Sequence, residues 1–262
     1  MSKAYASDFS FQELMVAAAS RELKDHETVF VGIGIPQLGA LLAQRTHAPN
    51  LSLIYESGVV GTRPQRLPLS IGDPTLVSGT YGIFNFFETF SMLLQRGFID
   101  VGFVGGAQVD KYGNINSTVI GDYEKPKVRL PGSGGGCEIA ALSKRIVIVT
   151  PHEKRRMVGK VDFITSPGFL EGFDARKRVG LSGGPSAVIT TMGVLRFDEQ
   201  TKEMYLDSYH PGLAVDQVKQ NTGWDLKVSP HVKETEPPTV EEVRILREEL
   251  DPQGIFLKKA VT

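Results

Sequence analysis

Three short apolar runs constrain this chain more than any other feature: Thr28 to Val31, Leu51 to Gly58, and Ile99 to Val104. Each is bounded by turn-forming residues, and each stops on glycine or on a carboxylate: Gly32-Ile33-Gly34, Glu56-Ser57-Gly58, Gly105-Gly106. Helix-patterned segments separate them, Gln37 to Thr46 after the first and Ile83 to Gln95 before the third. Strands this apolar are buried on both sides, so the alternation predicts an α/β fold: an open, mostly parallel sheet with helices on both faces. Right-handed winding then brings Gly32 and Gly34, Glu56, and Gly105 and Gly106 to one edge, where open sheets hold their ligands.

Glu56 is the sharpest point on that edge. A carboxylate at the end of a buried strand is costly unless it is paired, hydrogen-bonded or in use. The segment alone leaves two readings open, an ion pair with Arg63 or Arg66, or a chemical role. The glycines around Pro36 are equally two-sided. They suit either a tight connection or a helix start whose free N–H groups face an anion. Gly58 to Gly82 is rich in Gly and Pro and too long for an ordinary connector, which makes it a candidate binding loop. Pro131-Gly132-Ser133-Gly134-Gly135-Gly136-Cys137 stands before a short helical stretch, Glu138 to Leu142, and a strand, Arg145 to Thr150. Such a run exposes backbone donors in a nest that holds an oxyanion or phosphate.

Other elements frame the chain. Ser10-Phe11-Gln12-Glu13 has capping-box spacing and opens a helix reaching about Lys24; Thr239 and Glu242 open another that ends at Leu250 before Asp251-Pro252. Between them lie a β-hairpin, Val188 to Asp198 linked through Glu199 to Lys202 with Met204 to Leu206, a turn at His210-Pro211-Gly212, and a helix from Val215 to Thr222. His210 reads as a turn residue rather than a base. With 262 residues, 41% of them hydrophobic, the chain reads as one domain over 1–262. Its 29 basic and 30 acidic side chains argue against nucleic acid or an anionic membrane as partner. No stretch has the roughly 20 apolar residues of a membrane span, and Met1 to Tyr5 lacks a signal-peptide core, so a cytoplasmic location is expected. A lone cysteine, Cys137, excludes an internal disulfide or a cysteine-based metal cluster, and no metal site is expected.

Several motifs in fixed order carry a family resemblance: Tyr55-Glu56-Ser57-Gly58, the run from Gly105 through Gln108 and Asn116 to Thr118, Gly121-Asp122-Tyr123, Gly132-Ser133-Gly134-Gly135 and His152 to Arg156. Together with Ile164 to Gly168, Asn221-Thr222-Gly223 and Ile245 to Pro252, they resemble the β subunits of family I CoA-transferases, most of all those of glutaconate CoA-transferases. The resemblance implies a CoA-transferase in which Glu56 is the nucleophile, passing through an acyl-glutamyl anhydride and a glutamyl-CoA thioester in ping-pong order. It implies no permanently bound cofactor, with the coenzyme A thioester as substrate and a small carboxylic acid, a dicarboxylate such as glutaconate, as acceptor. An α subunit is the implied partner, in an (αβ)₂ or larger assembly. Gly105, Gly106, Gly134 and Gly135 are then expected to bind CoA or the oxyanion, and Gln108 and Asn116 the substrate. Lys154-Arg155-Arg156 stays open between CoA phosphates and a solvated turn. Decarboxylation or hydrolysis of CoA thioesters, or CoA binding without catalysis, are the alternatives.

Overall fold

The structure, a computed structural model, describes residues 3–257; Met1 and Ser2, where the N-terminal reading begins, lie outside them. Helix α1 (Phe11–Ser20) starts with the expected capping box, in which Ser10 Oγ accepts from Glu13 N–H while Glu13 Oε2 accepts from Ser10 N–H. It stops at Ser20, four residues before Lys24, and a turn leads into β1 (Thr28–Val31). Helix α2 (Ile35–Arg45) then leads to β2 (Ser52–Ile54), shorter than the expected Leu51 to Gly58 because the chain turns at Tyr55. That turn folds back into β3 (Val59–Val60), and β4 (Gly82–Ile83) pairs with it antiparallel. The expected helix over Ile83 to Gln95 is therefore wrong at its start. Ile83 is an edge-strand residue, and helix begins only at Phe86, two α-helical residues running into the wider π form over Glu88–Leu94. Phe84 N–H bonds to Gly58 O, so closure of the turn around Glu56 outweighs the local helical periodicity.

Strand β5 (Val101–Val104) follows, then short paired strands in the loop region, β6 (Gln108–Asp110) with β7 (Ile115–Asn116) and β8 (Val119–Gly121) with β9 (Pro126–Arg129). Helix α3 (Gly136–Leu142) leads to β10 (Arg145–Thr150), and β11 (Met157–Val158) joins β6. After α4 (Ala175–Arg178) come β12 (Pro185–Thr190), β13 (Gly193–Phe197), β14 (Met204–Tyr209), α5 (Val215–Gln220) and β15 (Lys227–Glu234). Helix α6 (Val240–Arg244), capped by Thr239 and Glu242, continues into a π-type turn at Ile245–Leu250. The hairpin of β13 and β14 is as expected, whereas Val188 belongs to the separate strand β12.

Ten strands form one sheet in the order β15-β14-β13-β12-β10-β5-β1-β2-β3-β4, with β12, β10, β5, β1 and β2 parallel. Alternate residues face opposite ways, as a pleat dictates. Val29, Val31, Leu53, Val101 and Phe103 pack against α1, α2 and the C-terminal helix, while Phe30, Ile54, Ile146 and Ile148 pack on the other face with Ile139 of α3 and Val218 of α5. Helices therefore cover both faces, as the apolar runs require. The chain reverses direction across the sheet at β1, since β2 lies on one side and β5 on the other. The crevice of an open sheet opens at such a point, beyond the carboxyl ends of β1, β2 and β5.

Candidate active site

Glu56 projects from the turn that ends β2. Gly58 N–H bonds to Tyr55 O at 2.9 Å, closing the turn, and Gly58 sits at φ +98°. A Cβ on Gly58 would lie 1.8 Å from Phe84 O, so only glycine fits. Beneath it Tyr55 is fully buried, its hydroxyl 3.5 Å from Gln37 Oε1, and burial pushes the phenol pKa well above its usual range. The backbone that carries Glu56 is thus fixed from below and from the side.

The half-buried carboxylate meets the glycine loop before α3. Gly135 N–H donates to Glu56 Oε1 at 2.9 Å. The approach depends on the missing side chain: a Cβ on Gly135 would stand 2.8 Å from Glu56 Oε1 and 2.4 Å from Phe90 Cζ. Phe90, on the π-type turn Glu88–Leu94, lies between Phe30 (centroids 5.4 Å) and Phe86 (4.5 Å), so the carboxylate rests beside an aromatic stack. Neither candidate arginine reaches it. Arg66 makes a bidentate pair with Asp73, whose carboxyl it holds well below the usual range, and Arg63 donates to Pro49 O. Among the described residues, Glu56 has no cationic partner, and its Oε2 has no hydrogen-bond donor.

Gly105 is exposed at the end of β5, and a Cβ there would lie 3.9 Å from Pro36 Cγ, so the β5 loop and the start of α2 sit together. A Cβ on Gly106 would overlap Ile115. Gln108 and Asn116 are buried and bonded to each other. Asn116 Nδ2 donates to Gln108 Oε1 at 2.7 Å and to Val119 O, Gln108 Nε2 donates to Asp162, and Asn116 Oδ1 accepts from Thr118 and Val119 N–H. Their amides hold the loops after β5 in place. Cys137 lies in the first turn of α3; burial pushes its thiol pKa up, and the neighbouring Glu138 adds to the rise. Arg155 and Arg156 both lean on Glu153. Sequence reasoning missed Phe90, whose aromatic spacing reads as ordinary core. Among the described residues, no group of three or more His, Cys, Asp or Glu is placed to hold a metal ion, and no helix is long and apolar enough to cross a membrane.

Large apolar side chains crowd the outer edge of the sheet next to this site. Tyr81, Ile83, Phe86, Phe87, Met92 and Phe98 are all more than half exposed, Phe87 at 71%. Exposed apolar clusters occur where a protein, a membrane or a ligand is met.

Comparison with known proteins identifies the family. The family model described as Coenzyme A transferase matches residues 12–221. The chain is 48% identical to the B subunit of 3-oxoadipate CoA-transferase from Pseudomonas knackmussii, over 92% of this chain and 93% of that one. It is 40% identical to the B subunit of glutaconate CoA-transferase from Acidaminococcus fermentans, over 96% of each. The crystal structure of glutaconate coenzyme A-transferase from Acidaminococcus fermentans superimposes with a TM-score of 0.90 at 37% identity, covering 98% of this chain and 100% of that chain. Both curated relatives are named as B subunits. The chain belongs to the coenzyme A-transferase family, as a B subunit.

Proposed function

We propose that this subunit moves coenzyme A between an acyl-CoA and a carboxylic acid, with Glu56 as nucleophile. The observation that carries the reading is the state of its carboxylate. One oxygen is oriented by a neutral N–H, and among the described residues the other meets no donor and no cation pairs with the carboxylate. A nucleophile held in this way keeps its aim and one oxygen for attack.

Glu56 Oε2 attacks the thioester carbonyl carbon, and the C–S bond breaks to release CoA thiolate and leave an acyl-glutamyl anhydride. The thiolate attacks Cδ of Glu56, expelling the donor as its carboxylate and leaving a glutamyl-CoA thioester. The acceptor carboxylate attacks the same Cδ, expelling thiolate and giving a second anhydride. Attack by the thiolate on the acceptor's carbonyl then returns Glu56 and yields the new acyl-CoA. Electrons and protons balance without any other reactant, so no resident cofactor is required. The tetrahedral oxyanions formed on the way into and out of each anhydride need donors. Gly134 and Gly135 stand beside Glu56, and Gly105 and Gly106 lie at the neighbouring strand end, each N–H being worth about 10²–10³ in rate in acyl-transfer sites. Gln108 and Asn116 act at one remove, by holding the loops. Both intermediates hydrolyse, so water must be kept out, and the α subunit seated on the Phe86 and Phe87 edge would close the pocket. The relatives' substrates, glutaconate and 3-oxoadipate, are dicarboxylates, which favours a dicarboxylate acceptor here.

The test is intact-mass spectrometry of the chain co-purified with its partner and incubated with acyl-CoA, followed by borohydride reduction and peptide mapping. A CoA-sized adduct on Glu56, absent in Glu56→Ala, is expected. Thioester consumed with no adduct, its acyl group decarboxylated or hydrolysed, would reject transfer in favour of other chemistry on the same fold.

A further inference from the structure

Arg176, on the short helix α4, is 3% exposed and pairs with no carboxylate among the described residues. All its donors go to backbone carbonyls. Nε donates to Ser182 O at 3.0 Å, Nη1 to Pro167 O at 2.8 Å and Gly168 O at 2.9 Å, and Nη2 to Ala140 O at 2.7 Å and Ala141 O at 3.3 Å. Burial lowers its pKa to about 10. A cation buried without a counter-ion is tolerable only when every N–H is satisfied, and five donors meet five acceptors here.

The identity of those acceptors gives the residue its meaning. Ala140 and Ala141 lie in the last turn of α3, where carbonyls have no intrahelical partner and where the helix dipole favours positive charge. At the other end of the same helix, Gly135 N–H holds Glu56. Seven residues of α-helix span only about 10 Å. The Pro167-Gly168 loop shares the guanidinium, and the preceding Ser166 Oγ stands 3.2 Å from where a Cβ on Gly136 would be, so the first turn of α3 is braced from the side as well.

We infer that Arg176 is a positioning residue for Glu56: it fixes α3 along its axis and so places the Gly135 N–H that aims the carboxylate. The inference rests on Glu56 being the nucleophile. Displacements near 1 Å from the productive geometry reduce rates about 10²-fold in comparable cases. Lysine keeps the charge but carries its donors on one nitrogen, which cannot reach carbonyls on three segments together.

Arg176→Lys and Arg176→Ala are compared in the complex with the partner subunit, with Leu246→Ala, in the distant C-terminal helix, as a control for lost stability. The readouts are single-turnover formation of the Glu56 adduct, kcat and KM for acyl-CoA, each per folded complex, and Tm. The expected result is adduct formation slowed about 10- to 100-fold in both Arg176 variants, with KM changed less than about threefold and partial recovery in Arg176→Ala on adding millimolar guanidinium. Leu246→Ala lowers Tm and keeps the wild-type adduct rate. Wild-type adduct rates in the Arg176 variants would overturn the inference, as would failure of both to assemble, since either makes Arg176 a staple of the fold alone. No adduct in the wild-type complex would instead overturn the reading of Glu56.

Discussion

Adding a single methyl group at Gly135 tests the site most directly. The backbone there, at φ −83° and ψ 2°, lies in the bridge region that alanine enters at negative φ, so Gly135→Ala acts mainly through contact. Its Cβ would lie 2.4 Å from Phe90 Cζ and 2.8 Å from Glu56 Oε1, the second about 0.6 Å inside an ordinary 3.4 Å contact. Phe90 is held between Phe30 and Phe86 and has little room to retreat, whereas Glu56 is half-buried with one free oxygen. The carboxylate therefore yields, and the N–H bond that orients it lengthens or breaks. Losing one such donor and the aim it gives is worth about 10²–10³ in rate. Overpacking costs about 1–3 kcal/mol, a few degrees in Tm for a chain of this size. Gly134→Ala serves as the internal contrast. Its Cβ would keep an ordinary 3.6 Å from Glu56 Oε1, but φ +50° strains it, so stability suffers more than rate. The assay is single-turnover adduct formation and thermal unfolding in the complex with the partner subunit. A Gly135→Ala enzyme with the wild-type adduct rate would refute the claim that this close approach positions Glu56.

Two further outcomes follow from the same geometry. Gly58→Ala, placing a Cβ 1.8 Å from Phe84 O at φ +98°, should destabilise the chain by more than about 3 kcal/mol in urea unfolding, and a change under about 1 kcal/mol would contradict the turn described. His152 and His210 are buried and bonded to Thr190, Thr222 and Thr235, and burial lowers both to about 4, with His210 adding to the shift of His152. Between about pH 6.5 and 4 the unfolded chain binds more protons than the folded one, so stability falls as pH falls, by about 2 kcal/mol per histidine at pH 5. The urea midpoint should drop between pH 7 and 5, and His210→Gln should reduce that drop by about half; a flat profile would refute it.

What the sequence makes legible are features set by local chemistry. The capping boxes of Ser10 with Glu13 and of Thr239 with Glu242, and the β-branched run Arg145–Thr150, specify their elements within a few neighbours. Glu56 is legible because an acidic residue closing an apolar run is rare enough to require a reason. Ile83 is not, because its pairing with Val59 comes from the turn around Gly58, 25 residues upstream in sequence, and overrides the local pattern. Lys227–Glu234 escapes notice because an edge strand needs no apolar face, and Pro230 breaks the strand pattern. Arg176 sits in an ordinary Ala-Arg-Lys-Arg stretch, and its role arises from carbonyls supplied by three other segments.

The band of Tyr81, Ile83, Phe86, Phe87, Met92 and Phe98 bears on the life of the chain as well as on its chemistry. If the proposed α subunit seats on this band, a copy released without it carries an unshielded apolar strand edge into a crowded solution, the kind of edge that pairs with its own kind. Production of the two polypeptides in equal number then becomes a condition for solubility, and any surplus of this one is the natural substrate of chaperones and proteases.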